Sequence, residues 1–336
     1  MSSNQCRSAA PGYDVIGDVH GYADKLEGLL ATLGYDEDRG WRHPNGRQVI
    51  FVGDLIDIGP SQPRTVDIAR AMVGAGHAQM VLGNHEYNAI AWATPDPDDP
   101  DEFLRPHFGK WGPKNRLQHG TFLDQVDEGS ATHRRYIDWF KTLPLWLDLG
   151  GLRVVHACWS NDSMQTLSPH LNDDRSVTDD LMVQSSREGS DLFRALETVL
   201  KGPDIELPDG LEYLDPYGIE RDRARRRWWD ASATTLRSAA IIPSNARSRD
   251  GSPFPQLPDT PLDDVSNSPY TDNVPVIFGH YWRTDSSEDT AKTACVDHSA
   301  GKCGPLVAYR WNEGDTSLTR ENLRSFPTEG LAAEGG

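Results

Sequence analysis

Four short motifs occur in a fixed order along this chain of 336 residues, and each follows a run with the apolar character of a buried strand. They are Gly17-Asp18-Val19-His20-Gly21, Gly53-Asp54-Leu55-Ile56-Asp57, Gly83-Asn84-His85-Glu86 and Gly279-His280. Functional side chains in open α/β sheets gather beyond the carboxyl ends of the strands, so the motifs are expected to meet at one edge. His156 ends a further apolar run between the third and fourth motifs.

The order of the predicted elements indicates an α/β fold. Strands are predicted at residues 13–17, 48–52 and 79–82, and helices at 23–33 and 63–74. This alternation is typical of a layered sheet with helices packed on it. Residues 41–52, with the turn Pro44-Asn45-Gly46, also predict a β-hairpin.

One domain is predicted over residues 13–326, with a disordered segment at 1–12 and a flexible, acidic and glycine-rich tail at 327–336. Residues 161–273 are predicted to form an insertion, or cap, within this domain. The insertion contains helical patterns near 179–186 and 190–200, and strand-like sequence resumes after it.

The formal net charge of −18 disfavours bulk binding of nucleic acid, because phosphate backbones need clustered Lys and Arg. A phosphate site must therefore be a local positive island. No apolar run reaches the roughly 18 to 20 residues of a membrane-spanning helix. Four cysteines form no dense disulfide framework in a chain of this length, which predicts a cytoplasmic location. The oligomeric state is left open.

The motif side chains offer carboxylate, amide and imidazole ligands for a pair of divalent metal ions. Two ions roughly 3.5 to 4 Å apart can hold both the attacking and the leaving oxygen of an in-line displacement. Asp54 is the predicted bridge, because a carboxylate has two oxygens. This mixed ligand set favours manganese, with iron or zinc as alternatives, over calcium or magnesium. The chemistry indicated is hydrolysis of a phosphate ester by a metal-bound hydroxide.

The motifs resemble those of the calcineurin-like metallophosphoesterases, and within them the phosphoprotein-phosphatase branch, which includes the symmetrical diadenosine tetraphosphatases. Other branches end in a GHxH sequence, whereas Gly279-His280-Tyr281-Trp282 lacks the second histidine. The resemblance implies a four-layer αββα sandwich with an inserted cap. It also implies one metal ion on Asp18, His20 and Asp54, and the other on Asp54, Asn84, His156 and His280.

The resemblance further implies that His85 is the general acid for the leaving group and that Asp57 holds it in place. One position departs from the family pattern, because Ile58 stands where the family carries a phosphate-binding arginine. The run Arg225-Arg226-Arg227 lies where the family often carries a second such arginine, and Arg227 is the preferred candidate. The alternative is an ordinary solvated charged face.

Several residues have competing interpretations. Cys295, His298 and Cys303 form an incomplete zinc pattern, and Cys158 is a conceivable nucleophile. Trp228 and Trp229 are expected to serve packing. The histidines outside the motifs are predicted to be structural or on the surface: His77, His107, His119, His133, His170 and His298.

The predicted function is hydrolysis of phosphomonoesters, either phosphoserine and phosphothreonine in proteins or small phosphate esters. The alternative is cleavage of a phosphoanhydride in a dinucleoside polyphosphate such as diadenosine tetraphosphate. A third possibility of another class is a metal-binding interaction protein without activity, which the isoleucine at position 58 would favour.

Overall fold

The computed structural model describes residues 10–215, 218–263, 269–283 and 287–327. Most of the predicted segments 1–12 and 327–336 lie outside these residues. The first half of the chain contains β1 (Gly12–Ile16), α1 (Ala23–Leu33), β2 (Gln48–Phe51), α2 (Gln62–Gly74), β3 (Ala78–Met80), α3 (Asn84–Ala93), β4 (Pro95–Asp96), β5 (Asp99–Phe103), α4 (Gly112–Val126), α5 (Ala131–Phe140), β6 (Trp146–Asp148) and β7 (Arg153–Val155).

The second half begins with three helices and continues with short strands. Its elements are α6 (Asn161–Leu167), α7 (Asp179–Ser185), α8 (Asp191–Lys201), β8 (Asp204–Glu206), β9 (Tyr213–Leu214), β10 (Glu220–Arg221), β11 (Arg223–Arg226), α9 (Leu236–Ala239), β12 (Ala240–Ile241), β13 (Val276–Phe278), β14 (Thr293–Cys295), β15 (Leu306–Asn312) and β16 (Leu323–Phe326). Short 3₁₀ helices cover Glu37–Arg39, Ser168–His170 and Arg320–Asn322.

Two sheets form the centre of the molecule. One has the order β16-β15-β1-β2-β3 and the other β14-β13-β7-β6. β1, β2 and β3 are mutually parallel, as are β7, β13 and β14, so their carboxyl ends point the same way within each sheet. The predicted hairpin over 41–52 is wrong, because both edges of β2 are already paired with β1 and β3.

Alternating side chains separate two apolar layers. Val15 and Ile50 point into a cluster that also holds Val154 and Ile277 of the second sheet, so the two sheets pack face to face. The opposite faces of the sheets contribute to a second cluster with the helices. This gives four layers, with the sheets inside and the helices outside, as the resemblance to the metallophosphoesterases implies.

The insertion has a small core of its own. The three-stranded sheet β12-β11-β8 and the pair β9-β10 surround an apolar cluster that includes Ile205, Leu207, Ala224 and Leu236. The helices predicted near 179–186 and 190–200 are present as α7 and α8.

Candidate metal centre

The structure brings the six predicted metal ligands together at the carboxyl ends of strands from both sheets. The Nε2 atoms of His20 and His156 lie 3.9 and 3.5 Å from Oδ2 of Asp54. The backbone N–H of His280 donates to Asp18 Oδ2 at 3.1 Å. The ligands follow five strands: Asp18 and His20 after β1, Asp54 after β2, Asn84 after β3, His156 after β7 and His280 after β13.

Glu86 explains why the third motif ends in glutamate. Its buried carboxylate accepts hydrogen bonds from the backbone N–H groups of Asp54 at 2.8 Å and Leu55 at 2.7 Å. It also accepts from Gly83, which caps α3. Burial and the nearby Asp54 charge raise the pKa of Glu86 to about 7. Glu86 therefore fixes the loop after β2 to the start of α3.

The two glycines at these strand ends allow the loops to meet. Gly53 has a φ of +105°, and a Cβ there would lie 2.5 Å from the Cα of Gly83. A Cβ on Gly83 would lie 2.4 Å from the backbone nitrogen of Asp54. The close approach of these backbones requires glycine in both motifs.

Several of the predicted site residues adopt left-handed backbone conformations. His20, Asp54, Asp57 and His280 have φ values of 50°, 53°, 85° and 71°. Such conformations cost free energy in residues other than glycine and are concentrated at functional sites. These conformations therefore single out the loops after β1, β2 and β13 as candidates for the functional site.

The histidine tautomers fit a site for cations. His20 Nδ1 lies 2.8 Å from the carbonyl oxygen of Ile56, and His156 Nδ1 lies 2.8 Å from that of Val52. A carbonyl can only accept, so each ring carries its proton on Nδ1 and turns the lone pair of Nε2 toward the cluster. His156 Nε2 then faces Asn84 Oδ1 at 2.9 Å. These two atoms are close enough to bind one cation together.

The carboxylates of the cluster also need positive charge. Burial, together with the charges of Asp297 and Asp54, raises the pKa of Asp18 well above its usual value. Burial opposes ionisation of Asp54 as well, but the neighbouring His156 and His85 lower its pKa well below the usual value. Asp297 is a buried neighbour that the motifs do not include. This donor set fits divalent metal ions.

Two groups of side chains among the described residues have the geometry to hold a metal ion. The first group is His20, Asp54 and His85, and the second is Asp54, His156 and His280. Asp54 belongs to both, as a bridging position requires. The first group contains His85 where Asp18 was predicted, so the assignment of Asp18 as a ligand and of His85 as the general acid stays a prediction. The zinc pattern of Cys295, His298 and Cys303 is not among these groups.

His85 and Asp57 form the predicted hydrogen-bonded pair. His85 Nδ1 donates to Asp57 Oδ2 at 2.5 Å, which leaves Nε2 free to face the cluster. Burial disfavours the charged ring, but Asp54 and Asp57 raise the pKa of His85 to about 9. The side chain is 25% exposed, whereas that of His156 is fully buried, so His85 can reach a substrate.

His119 is a third member of the hydrogen-bonded group of His85 and Asp57, and the sequence did not predict it. Its Nδ1 donates to Asp57 Oδ1 at 2.6 Å, so Asp57 accepts from two imidazoles. Together with Phe122, Leu123 and Val126, His119 forms the buried face of α4. The helical spacing of this face was the available signal, because a histidine on an otherwise apolar stripe needs a buried partner.

Arg225 and Arg227, two residues of the arginine run, have different hydrogen-bond partners. Arg227, the preferred candidate, donates to the carbonyl oxygens of Ser238 and Ala240 and pairs with Glu288. Arg225 donates to Asp204 Oδ1 at 2.8 Å and lies close enough to affect His280. Burial, His156 and then Arg225 lower the pKa of His280 well below its usual value. Both arginines therefore have partners within the insertion or next to it, and the choice of Arg227 as the phosphate-binding residue stays a prediction.

The environments of Trp228, Trp229 and Cys158 indicate structural roles. Trp228 and Trp229 are buried, and their ring centroids lie 4.8 and 5.3 Å from that of Phe278, as expected for packing residues. Burial raises the pKa of the Cys158 thiol, which disfavours the reactive thiolate.

The sequence model of the calcineurin-like phosphoesterases matches residues 13–218, which contain every predicted ligand except His280. The chain belongs to the calcineurin-like phosphoesterase family. This membership confirms the predicted resemblance and, at the level of the family, the prediction of a metal-dependent phosphoric ester hydrolase. The identity of the metal stays a prediction.

Two curated relatives that match this chain share one name. The chain is 42% identical over 145 residues to the asymmetrical bis(5′-nucleosyl)-tetraphosphatase PrpE of Oceanobacillus iheyensis, a match covering 43% of this chain and 54% of that protein. It is 39% identical over 158 residues to the same-named protein of Bacillus subtilis, covering 43% and 57%. The chain thus spans about half the length of these relatives.

Solved structures of the same broad type are also similar. A serine/threonine phosphatase from Saccharomyces cerevisiae, with similarity to human phosphatase PP5, aligns over 98% of this chain and 83% of its own, with 16% identity and a TM-score of 0.43.

The described part of the chain contains no helix of the length and apolar character needed to span a bilayer. The predicted cytoplasmic location is not tested by this observation.

Proposed function

We propose that this protein hydrolyses dinucleoside polyphosphates at a two-metal centre formed by Asp18, His20, Asp54, Asn84, His156 and His280. The observation that best supports hydrolase activity is that the two candidate metal-binding groups share Asp54. The names of the two relatives favour the dinucleoside substrate over the phosphomonoester that we predicted first. They also favour asymmetrical cleavage.

The metal ions, for which we propose manganese, would polarise the phosphoryl oxygens and ionise the attacking water. The protein's own part is to orient the leaving group. His85 carries its transferable proton on Nε2, because Nδ1 is held by Asp57. As the phosphorus–oxygen bond breaks, this proton passes to the leaving oxygen, while the hydroxyl of water stays on phosphorus.

Phosphate binding would use arginine from the insertion instead of the family position that Ile58 occupies. We propose Arg225 rather than Arg227 for this role. The hydrogen bonds of Arg225 to Gly202 and Asp204 both use Nη1, whereas Arg227 is held through Nε and Nη1 by Glu288, Ser238 and Ala240. The charge of Arg225 also helps to lower the pKa of His280. Residues 161–273 would then act as a cap that supplies charge to the centre. The planar guanidinium group is suited to contact two phosphate oxygens.

The test is product analysis of diadenosine tetraphosphate with the manganese-loaded protein, beside p-nitrophenyl phosphate and a phosphopeptide. We expect AMP and ATP in equal amounts, and two molecules of ADP would contradict asymmetrical cleavage. Turnover of the monoesters without turnover of the dinucleotide would return the function to phosphomonoester hydrolysis. If no compound is turned over although both ions are bound, the result would favour a metal-binding interaction protein without activity.

A further inference from the structure

Two exposed apolar side chains lie beside the metal-binding cluster. Ile58 is 43% exposed and Trp282 is 57% exposed. The Cδ1 atom of Ile58 and the Cδ2 atom of His20 each lie 2.9 Å from the position that a Cβ would take on Gly301. The ring centroid of Trp282 lies 6.4 Å from that of His280. The two side chains therefore flank the cluster on its His20 and His280 sides.

A short loop joins these side chains into one surface. Gly301 fits between Ile58 and His20 only because it has no Cβ. The next residue, Lys302, places its ammonium group 4.6 Å from the ring centroid of Trp282. We call Ile58, Gly301, Lys302 and Trp282 the rim platform. It combines an aliphatic side chain, an open backbone, an indole and one cation.

The backbone of Trp282 is fixed although its ring is exposed. Its N–H donates to Oδ2 of the buried Asp297 at 2.8 Å, and its φ is 43°. A left-handed conformation is unfavourable for a bulky aromatic residue, and surrounding structure must hold it. An exposed indole held in this way is suited to a ligand with a flat apolar face.

We propose that the rim platform binds the nucleobase of the nucleotide whose phosphate lies in the metal centre. This inference rests on the proposed function, since it names the part of a dinucleoside polyphosphate that the rim recognises. Aromatic side chains stack on bases of any sequence, and a nearby lysine attracts the anionic phosphates. Ile58 then has a role of its own, because it replaces a charge with an apolar contact for the base.

Titration calorimetry of the manganese-loaded protein with AMP and with ribose 5-phosphate tests this inference. The two ligands have the same sugar and phosphate, so the ratio of their dissociation constants isolates the base. We expect AMP to bind about tenfold more tightly, within the range measured for base–aromatic stacking. Trp282→Ala should bring the ratio close to one. Ile58→Arg, on the other side of the platform, should also lower the ratio because the apolar contact with the base is lost, while the added guanidinium group tightens the phosphate of both ligands alike.

Trp111→Ala is the matched control. Trp111 is 42% exposed and has Lys110 4.7 Å from its ring centroid, but it lies at the start of α4. This variant should keep the tenfold ratio. A ratio of one in the natural sequence, or a tenfold ratio that survives both Trp282→Ala and Ile58→Arg, would overturn the platform even if diadenosine tetraphosphate is cleaved. A tenfold ratio lost in Trp282→Ala would support it even if the dinucleotide is not cleaved, so the two failures are separable.

Discussion

The strand-end cluster and the insertion hold their side chains in place in different ways. In the cluster, each side chain lies within a few residues of a strand end, and neighbouring backbones hold it through Glu86 and through the contact of Gly53 with Gly83. In the insertion, charged side chains pair mainly with one another, as Arg225 does with Asp204. The sheets therefore position the predicted metal ligands, and we expect the insertion to supply charges to the substrate.

The two regions also differ in their electrostatic balance. The cluster collects buried Asp18, Asp54 and Asp297, and burial with mutual repulsion raises the pKa of Asp18. The insertion has its own apolar cluster around Ile205 and Leu236, and several of its arginines have carboxylate partners, as Arg225 has in Asp204. Substitutions in the cluster should therefore act on metal binding and chemistry, whereas substitutions in the insertion should act on substrate affinity.

Asp54→Asn should produce the largest effect. The variant removes the charge shared by both metal-binding groups, so we expect kcat/KM to fall by about a thousandfold or more. Metal content measured by elemental analysis should fall with it. Asp14→Asn is the matched control, because Asp14 is equally buried but pairs with Arg47 and Arg310. It should retain both metal ions, and metal loss there would undermine the comparison.

His85→Asn should reduce turnover while leaving metal content largely unchanged. The asparagine amide can still donate to Asp57, but it lacks the Nε2 proton. On an alkyl phosphate we expect a loss of about a hundredfold or more, the usual scale for general acid catalysis. The loss should be smaller on diadenosine tetraphosphate, whose leaving group is a stable phosphate anion. Full activity on the alkyl ester would remove His85 from the general-acid role.

His119→Phe should have an intermediate effect that depends on the leaving group. The variant removes one of the two hydrogen bonds that orient Asp57, and we expect about a tenfold loss of kcat on an alkyl phosphate. His119→Asn should restore most of it, since its amide nitrogen can take the place of Nδ1. His43→Phe, at a buried histidine before β2, is the control. An equal loss for every substrate and no recovery in His119→Asn would indicate a purely structural role.

Arg225→Ala should have the smallest effect of this series and should act on the insertion side of the comparison. We expect KM for the dinucleotide to rise about three- to tenfold with kcat nearly unchanged, because a charged hydrogen bond to phosphate is lost. Arg227→Ala is the paired control, since that guanidinium group is bound to Ser238, Ala240 and Glu288. A larger effect in Arg227→Ala would return the phosphate contact to Arg227.

The sequence predicted the cluster well for a physical reason. Gly, Asp, His and Asn after apolar runs define both a strand end and a ligand, so one pattern carries fold and chemistry together. Asp18, His20 and Asp54 lie directly after β1 and β2, as expected. Their assignment as metal ligands stays a prediction.

Strand pairing and contacts between residues far apart in the sequence were not predictable in the same way. The hairpin over 41–52 had a suitable turn, but pairing of β2 with β1 and β3 was more favourable, and local sequence does not report that competition. His119 lies 62 residues from Asp57, so their contact needed the packing of α4. In the insertion, β11 pairs Arg225 with Asp204, and Arg227 lies beyond the end of the strand. A run of three arginines does not specify that register.

The most direct test of the two-metal centre is anomalous diffraction from crystals of the manganese-loaded protein. We expect two manganese peaks roughly 3.5 to 4 Å apart, with Asp54 between them. One peak should lie beside Asp18 and His20, and the other beside Asn84, His156 and His280. A single peak, or two peaks that do not share Asp54, would contradict the account.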